Sequence, residues 1–302
     1  MSIEKIEEIR KNLNKFSFEN VVVKEKNSQD LKWCKDFANK TKNKGFCTLC
    51  EKFNCANAQG FEGAQDYKLH FVSHGAHSLD FCDSMGIKPD NTWNNWNDIP
   101  VLFLFENPSI QYDGLYEDKE KGWEKEKYPA KKWYWIHEGY KKEDCIYPKK
   151  YKQGCYGGLI ASLIKTFKLA NAYMTNIVKC SMNNSDGKYL GTQYYNKNCI
   201  ETCIDKVLKQ EIKILTNDGN DKLIIFAFSK RVYDLAKEYL CKDECLRNMA
   251  TEICLMPHPA SRLANDYRKY VIFGKVYKTL TNNGCDCKDA VKEFLDNDKK
   301  LK

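Results

Sequence analysis

The side chains best suited to chemistry fall at a few places in the chain. Asn107 lies in Phe105-Glu106-Asn107-Pro108-Ser109. Pro108 has no N–H and pushes the residue before it into an extended conformation, so the Asn107 amide is held rigidly, whether for chemistry or simply for a turn. Asn176 lies in Tyr173-Met-Thr-Asn176-Ile-Val-Lys-Cys180, where an apolar strand should stop. His258 stands between Pro257 and Pro259, which fixes its backbone and suits a preorganised hydrogen-bond donor. Taken alone, a histidine is more often structural. Cys47-Thr-Leu-Cys50 has the spacing at which two thiolates hold one iron or zinc. Cys50 and Cys55, with His70, His74, His77 and Cys82 downstream, offer a zinc site as the alternative.

The elements that must position these groups can be read from periodicity. Ile3, Ile6, Ile9, Leu13 and Phe16 recur at helical spacing. Val101–Phe105, Ala172–Thr175, Leu223–Phe228 and Glu252–Met256 are short apolar runs bounded by turn residues, the pattern of buried strands. Between them, Leu159, Ile160, Leu163, Ile164 and Phe167 mark one helix. Ile200, Ile204, Val207, Leu208 and Ile212 mark a second, and a third runs from about Arg231 to Leu240. Strands alternating with helices predict an α/β fold, a three-layer α/β/α arrangement with a mostly parallel central sheet. Ligands of such sheets sit beyond the carboxyl ends of the strands. Asn107, Asn176 and His258 all fall there.

The 302 residues carry 49 Lys and Arg against 41 Asp and Glu, a formal net charge of +8, which favours a polyanionic partner such as nucleic acid. No apolar run approaches the ~20 residues of a membrane span, and the charged start lacks the apolar core of a signal peptide. Fifteen cysteines, an odd number in a chain of this length, point to reduced thiols and a cytoplasmic setting. The expected organisation is an N-terminal helix with a Cys/His-rich segment over 1–95, an α/β core over 96–283 interrupted at 114–154, and a tail or last helix over 284–302.

Together and in this order, the motifs resemble the uracil-DNA glycosylase superfamily. Phe105-Glu-Asn-Pro-Ser109 is similar to its first motif, Gly-Glu-Ala-Pro-Gly or Gly-Ile-Asn-Pro-Gly. Tyr173-Met-Thr-Asn-Ile-Val-Lys-Cys180 is close to the Tyr-Ile-Thr-Asn-Val-Val-Lys-Cys stretch of the iron–sulfur branch, and His258-Pro259-Ala260 matches the final His-Pro-Ser or His-Pro-Ala. The resemblance runs from about Val101 to Arg262. It implies a monofunctional DNA glycosylase that flips a base out of DNA and hydrolyses its N-glycosidic bond. Asn176 would read the Watson–Crick edge of the base, and His258 would donate to the base oxygen that gains charge. Asn107 would position the attacking water, and Glu106 and Tyr156 (or Tyr151) would complete the base site. A [4Fe–4S] cluster would be held by Cys47, Cys50, Cys180 and Cys203, with Cys199 a rival for the last position.

Two departures matter. The branch's water-activating carboxylate falls at Tyr112, so Asp113 is the nearest acid, and the motif's opening glycine is Phe105. Both leave room for a non-catalytic nucleic-acid-binding module as the alternative function. Residues 114–154 hold nine aromatics and eleven Lys against eight acids. Such a segment would track a phosphate backbone and stack on bases, or enlarge the pocket for a bulky modified base. Some members of the superfamily excise glucosylated hydroxymethylcytosine in defence against phage, which extends the expected substrates from uracil to hypermodified pyrimidines.

Overall fold

The computed structural model describes residues 1–20, 68–72, 75–84, 86–89, 93, 99–106, 156–183, 191–195, 197–242, 244, 248, 250–258, 265–285, 287, 289, 290 and 292. At its centre is a five-stranded sheet. Three strands are short apolar segments with every residue buried: β3 (Val101–Phe105), β4 (Ala172–Asn176) and β6 (Leu223–Phe228). β7 (Ala250–Met256) pairs with β6, and the two-residue β2 (Ala76–His77) closes the other edge. The spatial order is β2-β4-β3-β6-β7. β4, β3, β6 and β7 run parallel, and β2 is antiparallel to β4. A separate antiparallel ribbon joins β1 (Lys68–Val72) to β5 (Cys180–Asn183).

Successive strand residues point to opposite faces of a sheet, and here the two faces bury different helices. Leu102, Leu104, Tyr173, Ile225 and Ala227 pack with Ile9 and Leu13 of α1 (Ile3–Asn20), with α4 (Lys197–Cys203) and α5 (Lys209–Leu215), and with α6 (Lys230–Leu240). Val101, Phe103, Met174, Ile224 and Phe226 pack with α2 (Ser78–Ser84), α3 (Tyr156–Phe167) and α7 (Asn265–Asn282). Helices therefore cover both faces of a mostly parallel sheet. Cys285, Cys287 and Ala290, from the segment read as a tail, are buried in the second of these clusters.

Between α4 and α5 the chain makes a π turn at Ile204–Leu208. Its cause is visible in the burial pattern. Cys199, Ile200, Cys203, Ile204, Val207, Leu208, Glu211, Ile212 and Leu215 are all buried, a repeat of four residues. An α-helix turns about 100° per residue, so such a stripe would drift by roughly 160° over its length. The wider turn takes up about one residue of that drift and keeps the stripe on the sheet.

One glycine is required by close approach. A Cβ at Gly75 would lie 2.1 Å from Tyr173 Cζ, so the chain entering β2 passes directly over that ring.

Candidate functional site

The four parallel strands release their carboxyl ends at one edge. The connection from β3 goes outward to β4, and the next strand, β6, lies on the far side of β3. This reversal of direction is the point at which open α/β sheets form a ligand crevice. The residues at that edge are Glu106 after β3, Asn176 ending β4, Ser229 after β6, and Pro257 and His258 after β7.

Register and alternation sort these residues. Phe105 pairs with Asn176, and Phe105 belongs to the cluster that includes Met174 and Phe228. Asn176 is two residues beyond Met174, so strand alternation puts it on that same face. The Phe105 ring stacks on Phe228 at 4.5 Å with the planes 2° apart, forming an apolar floor at the switch point. Phe105 is 3% exposed, its ring absorbed by this stack. The neighbouring position, Thr175, faces the opposite helices and hydrogen-bonds Glu211 of α5.

His258 follows β7 by two residues and is half-buried. Three strand spacings of about 4.8 Å separate β4 from β7, so Asn176 and His258 leave the sheet on the order of 14 Å apart at their backbones.

The turn after β4 is tightly held. Ile177 N–H donates to Phe105 O at 2.8 Å and Val178 N–H to Glu106 O at 3.0 Å, extending the β3 ladder past Asn176. The Glu106 carboxylate faces away from the floor. Its Oε1 accepts from Thr192 N and from Thr192 Oγ1, both at 2.7 Å, and Arg231 Nε donates to the same Thr192 hydroxyl at 3.2 Å. Glu106 thus ties the end of β3 to the 3-10 turn Thr192–Tyr194 and to α6. Ser229 has φ of +132°, a region that favours glycine, and its hydroxyl accepts from Val232 N to cap α6.

Of the expected site residues, Glu106, Asn176 and His258 all lie at the carboxyl edge of the sheet, with the Glu106 carboxylate committed to Thr192. Tyr156 is the first residue of α3. Asn107, Asp113 and Tyr151 lie outside the described residues. Of the expected cluster ligands, Cys180 opens β5 and pairs with Val72 of β1. Cys199 and Cys203 are one helical turn apart and buried on the same stripe of α4. Both thiols are packed in the apolar cluster against the sheet. Cys47 and Cys50 lie outside the described residues. Among the described residues, no group of three or more His, Cys, Asp or Glu is placed to hold a metal ion.

Two members of the alternative zinc set are committed to the core. His77 is fully buried, with Nδ1 accepting from Leu79 N at 3.2 Å and Nε2 3.3 Å from Asn171 Oδ1. Burial pushes its pKa down to about 3. Cys82 is buried in the apolar cluster, where desolvation pushes its thiol up to about 12. His70 lies on β1, and Cys50, Cys55 and His74 lie outside the described residues.

Sequence reasoning passed over Lys179, Thr192, Glu211 and Arg231. Glu211 carried a signal: it occupies an apolar stripe position, and an acid there demands a buried partner.

The chain matches no protein-family model, and no curated protein matches it significantly in sequence. Among the described residues, no helix is long and apolar enough to cross a membrane.

Proposed function

We propose that this chain is a DNA glycosylase of uracil-DNA glycosylase type, acting in the cytoplasm on uracil or a modified pyrimidine. The observation that carries the reading is the placement of Asn176 and His258 at the carboxyl edge of the sheet, where its strand order reverses. The base would be extruded from DNA, at a cost of a few kcal/mol recovered by stacking and edge hydrogen bonds. Asn176 presents a carboxamide, which offers both a donor and an acceptor to a pyrimidine edge. Phe105 and Phe228 supply an apolar floor beneath it. As the glycosidic bond lengthens, the sugar gains oxocarbenium character and the base takes the electron pair. A donor at His258, held by flanking prolines, stabilises that negative charge where it develops. Water held by Asn107, with Asp113 accepting its proton, adds to C1′. The products are the free base and an abasic sugar, and the proton lost by water balances the one taken up by the base.

Glu106 serves this scheme by position. With Oε1 engaged by Thr192, it fixes the exit of β3 ahead of Asn107. A [4Fe–4S] cluster bound by Cys47, Cys50, Cys180 and Cys203 would act as a structural staple and carry no chemical step. The alternative is a nucleic-acid-binding module with the same fold that no longer cuts. The buried Phe105–Phe228 stack favours it, because it fills space where the motif's glycine leaves a gap.

Mass spectrometry of bases released from uracil-containing, unmodified, and hydroxymethylated or glucosylated DNA separates the two. Release of one base by the wild type, abolished in His258→Ala with DNA affinity retained, supports the glycosylase. No release from any of the three, with DNA still bound, leaves the binding module.

A further inference from the structure

Directly behind Asn176, on the opposite face of β4, lies an ion pair with no access to water. Lys179 and Glu211 are both 0% exposed. Lys179 Nζ donates to Glu211 Oε2 at 2.6 Å, to Thr175 Oγ1 at 2.5 Å and to the Asn176 carbonyl at 2.7 Å, which uses all three ammonium hydrogens. Glu211 Oε1 accepts from Tyr173 OH at 3.1 Å, and Thr175 Oγ1 lies 3.3 and 3.2 Å from its two oxygens. The network is closed within the protein.

Stability does not explain its presence. Taking two charges out of water costs several kcal/mol per ion, and apolar residues of similar volume often replace such pairs at no loss. What this pair does that apolar residues could not is fix geometry. The ammonium bridges residues 175, 176 and 179, closing the turn around the Asn176 carbonyl. Glu211 anchors that ammonium to α5, which the π turn has phased onto the sheet. Tyr173, Thr175 and Lys179, all on or just after β4, are gathered onto one carboxylate.

We propose that Lys179 and Glu211 are positioning residues that hold Asn176 in the orientation needed to read a flipped base. This rests on the glycosylase reading of the site. Neither residue touches the base; both act through the backbone and register of Asn176. A displacement of about 1 Å in such a group costs on the order of 10²-fold in rate.

The test uses the full chain with Lys179→Met/Glu211→Met, which removes both charges and keeps apolar bulk, and Tyr173→Phe, which removes one hydrogen bond and leaves the pair. Two readouts are taken on each folded variant. Hydrogen exchange reports the Ile177 and Val178 amides, with β6 as the internal control. Base release and DNA binding report kcat and Kd. In the double variant, exchange at residues 177 and 178 is expected to quicken on the order of tenfold or more, and kcat to fall by about 10²-fold, with Kd unchanged. Tyr173→Phe should shift both in the same direction by less. Wild-type exchange or wild-type kcat in a folded double variant overturns the proposal. Should the double variant not fold, the same two readouts on Tyr173→Phe decide it. Absence of base release by the wild type removes the glycosylase reading, and the exchange arm then decides the clamp alone.

Discussion

Lowering the pH from 7 to 5 should weaken this fold through one ring in particular, His77. The ring, on the last residue of β2, is fully buried. Its Nδ1 accepts the Leu79 N–H, so the single proton of the neutral ring sits on Nε2 and donates to Asn171 Oδ1. Asn171 is held in that orientation by its own amide, which donates to Leu215 O at 3.4 Å. A second proton on the ring would meet a backbone N–H with no water to solvate it. Burial, and to a lesser extent the nearby Arg10 guanidinium, therefore lower the pKa from 6.5 to about 3, against the opposing pull of Asn171. The unfolded chain takes up this proton below pH 6.5 and the native state does not. Stability is thus full above pH 6.5 and is lost as the pH falls from there toward 3. Between pH 7 and pH 5 the unfolded state gains about 2 kcal/mol from this one group, because the native ring stays neutral throughout the window. Urea unfolding at pH 5, 6 and 7, on wild type and His77→Gln, isolates the effect. The wild type should lose about 2 kcal/mol more than the variant across the range, the other titrating groups cancelling between the two. Parallel losses would show that the ring is protonated or solvated in the native state, and the burial argument would fail.

Gly75→Ala should destabilise the fold by about 1–3 kcal/mol, read as a lower Tm, because its methyl would sit 2.1 Å from the Tyr173 ring in the core. Tyr173→Phe in the same chain should recover part of the loss by removing the hydroxyl; a Gly75→Ala protein as stable as wild type would contradict the close approach. Cys180→Ala should give colourless, poorly soluble protein when expressed with iron. A brown, stable variant with full iron content would remove Cys180 from the ligand set.

The fold was legible where burial is continuous in sequence. Val101–Phe105 and Leu223–Phe228 match their strands to the residue, because a strand covered on both faces reads as an unbroken apolar run. At the ends, polar side chains blurred the reading: β4 runs one residue further, to Asn176, and β7 starts earlier, at Ala250. What escaped was non-local. β2 is two residues long and carries no period, and the β1–β5 ribbon joins segments about a hundred residues apart. Glu106 meets Thr192 across 86 residues and Lys179 meets Glu211 across 32, distances over which local pattern says nothing. The π turn at Ile204–Leu208 escaped as well: Ile200, Ile204, Val207, Leu208 and Ile212 read as one regular helix, and the four-residue repeat that the wider turn accommodates differs from the 3.6 of an α-helix too little to mark the break.

The period of a β-strand also explains why lining and support at this site cannot be separated. Along β4, Met174 and Asn176 face the side of the Phe105–Phe228 floor, while Tyr173 and Thr175 face Glu211. Each residue on the floor side is flanked by one that anchors the strand from behind. A one-residue slip of β4 against β3 would exchange the two sets, burying Asn176 against α5 and turning Thr175 toward the floor. The Lys179–Glu211 pair resists that slip in a way apolar packing does not, because Tyr173, Thr175 and Lys179 satisfy the carboxylate in only one register. Buried charge at this place therefore specifies register more than it adds stability. The carboxamide of Asn176 inherits its direction from that register.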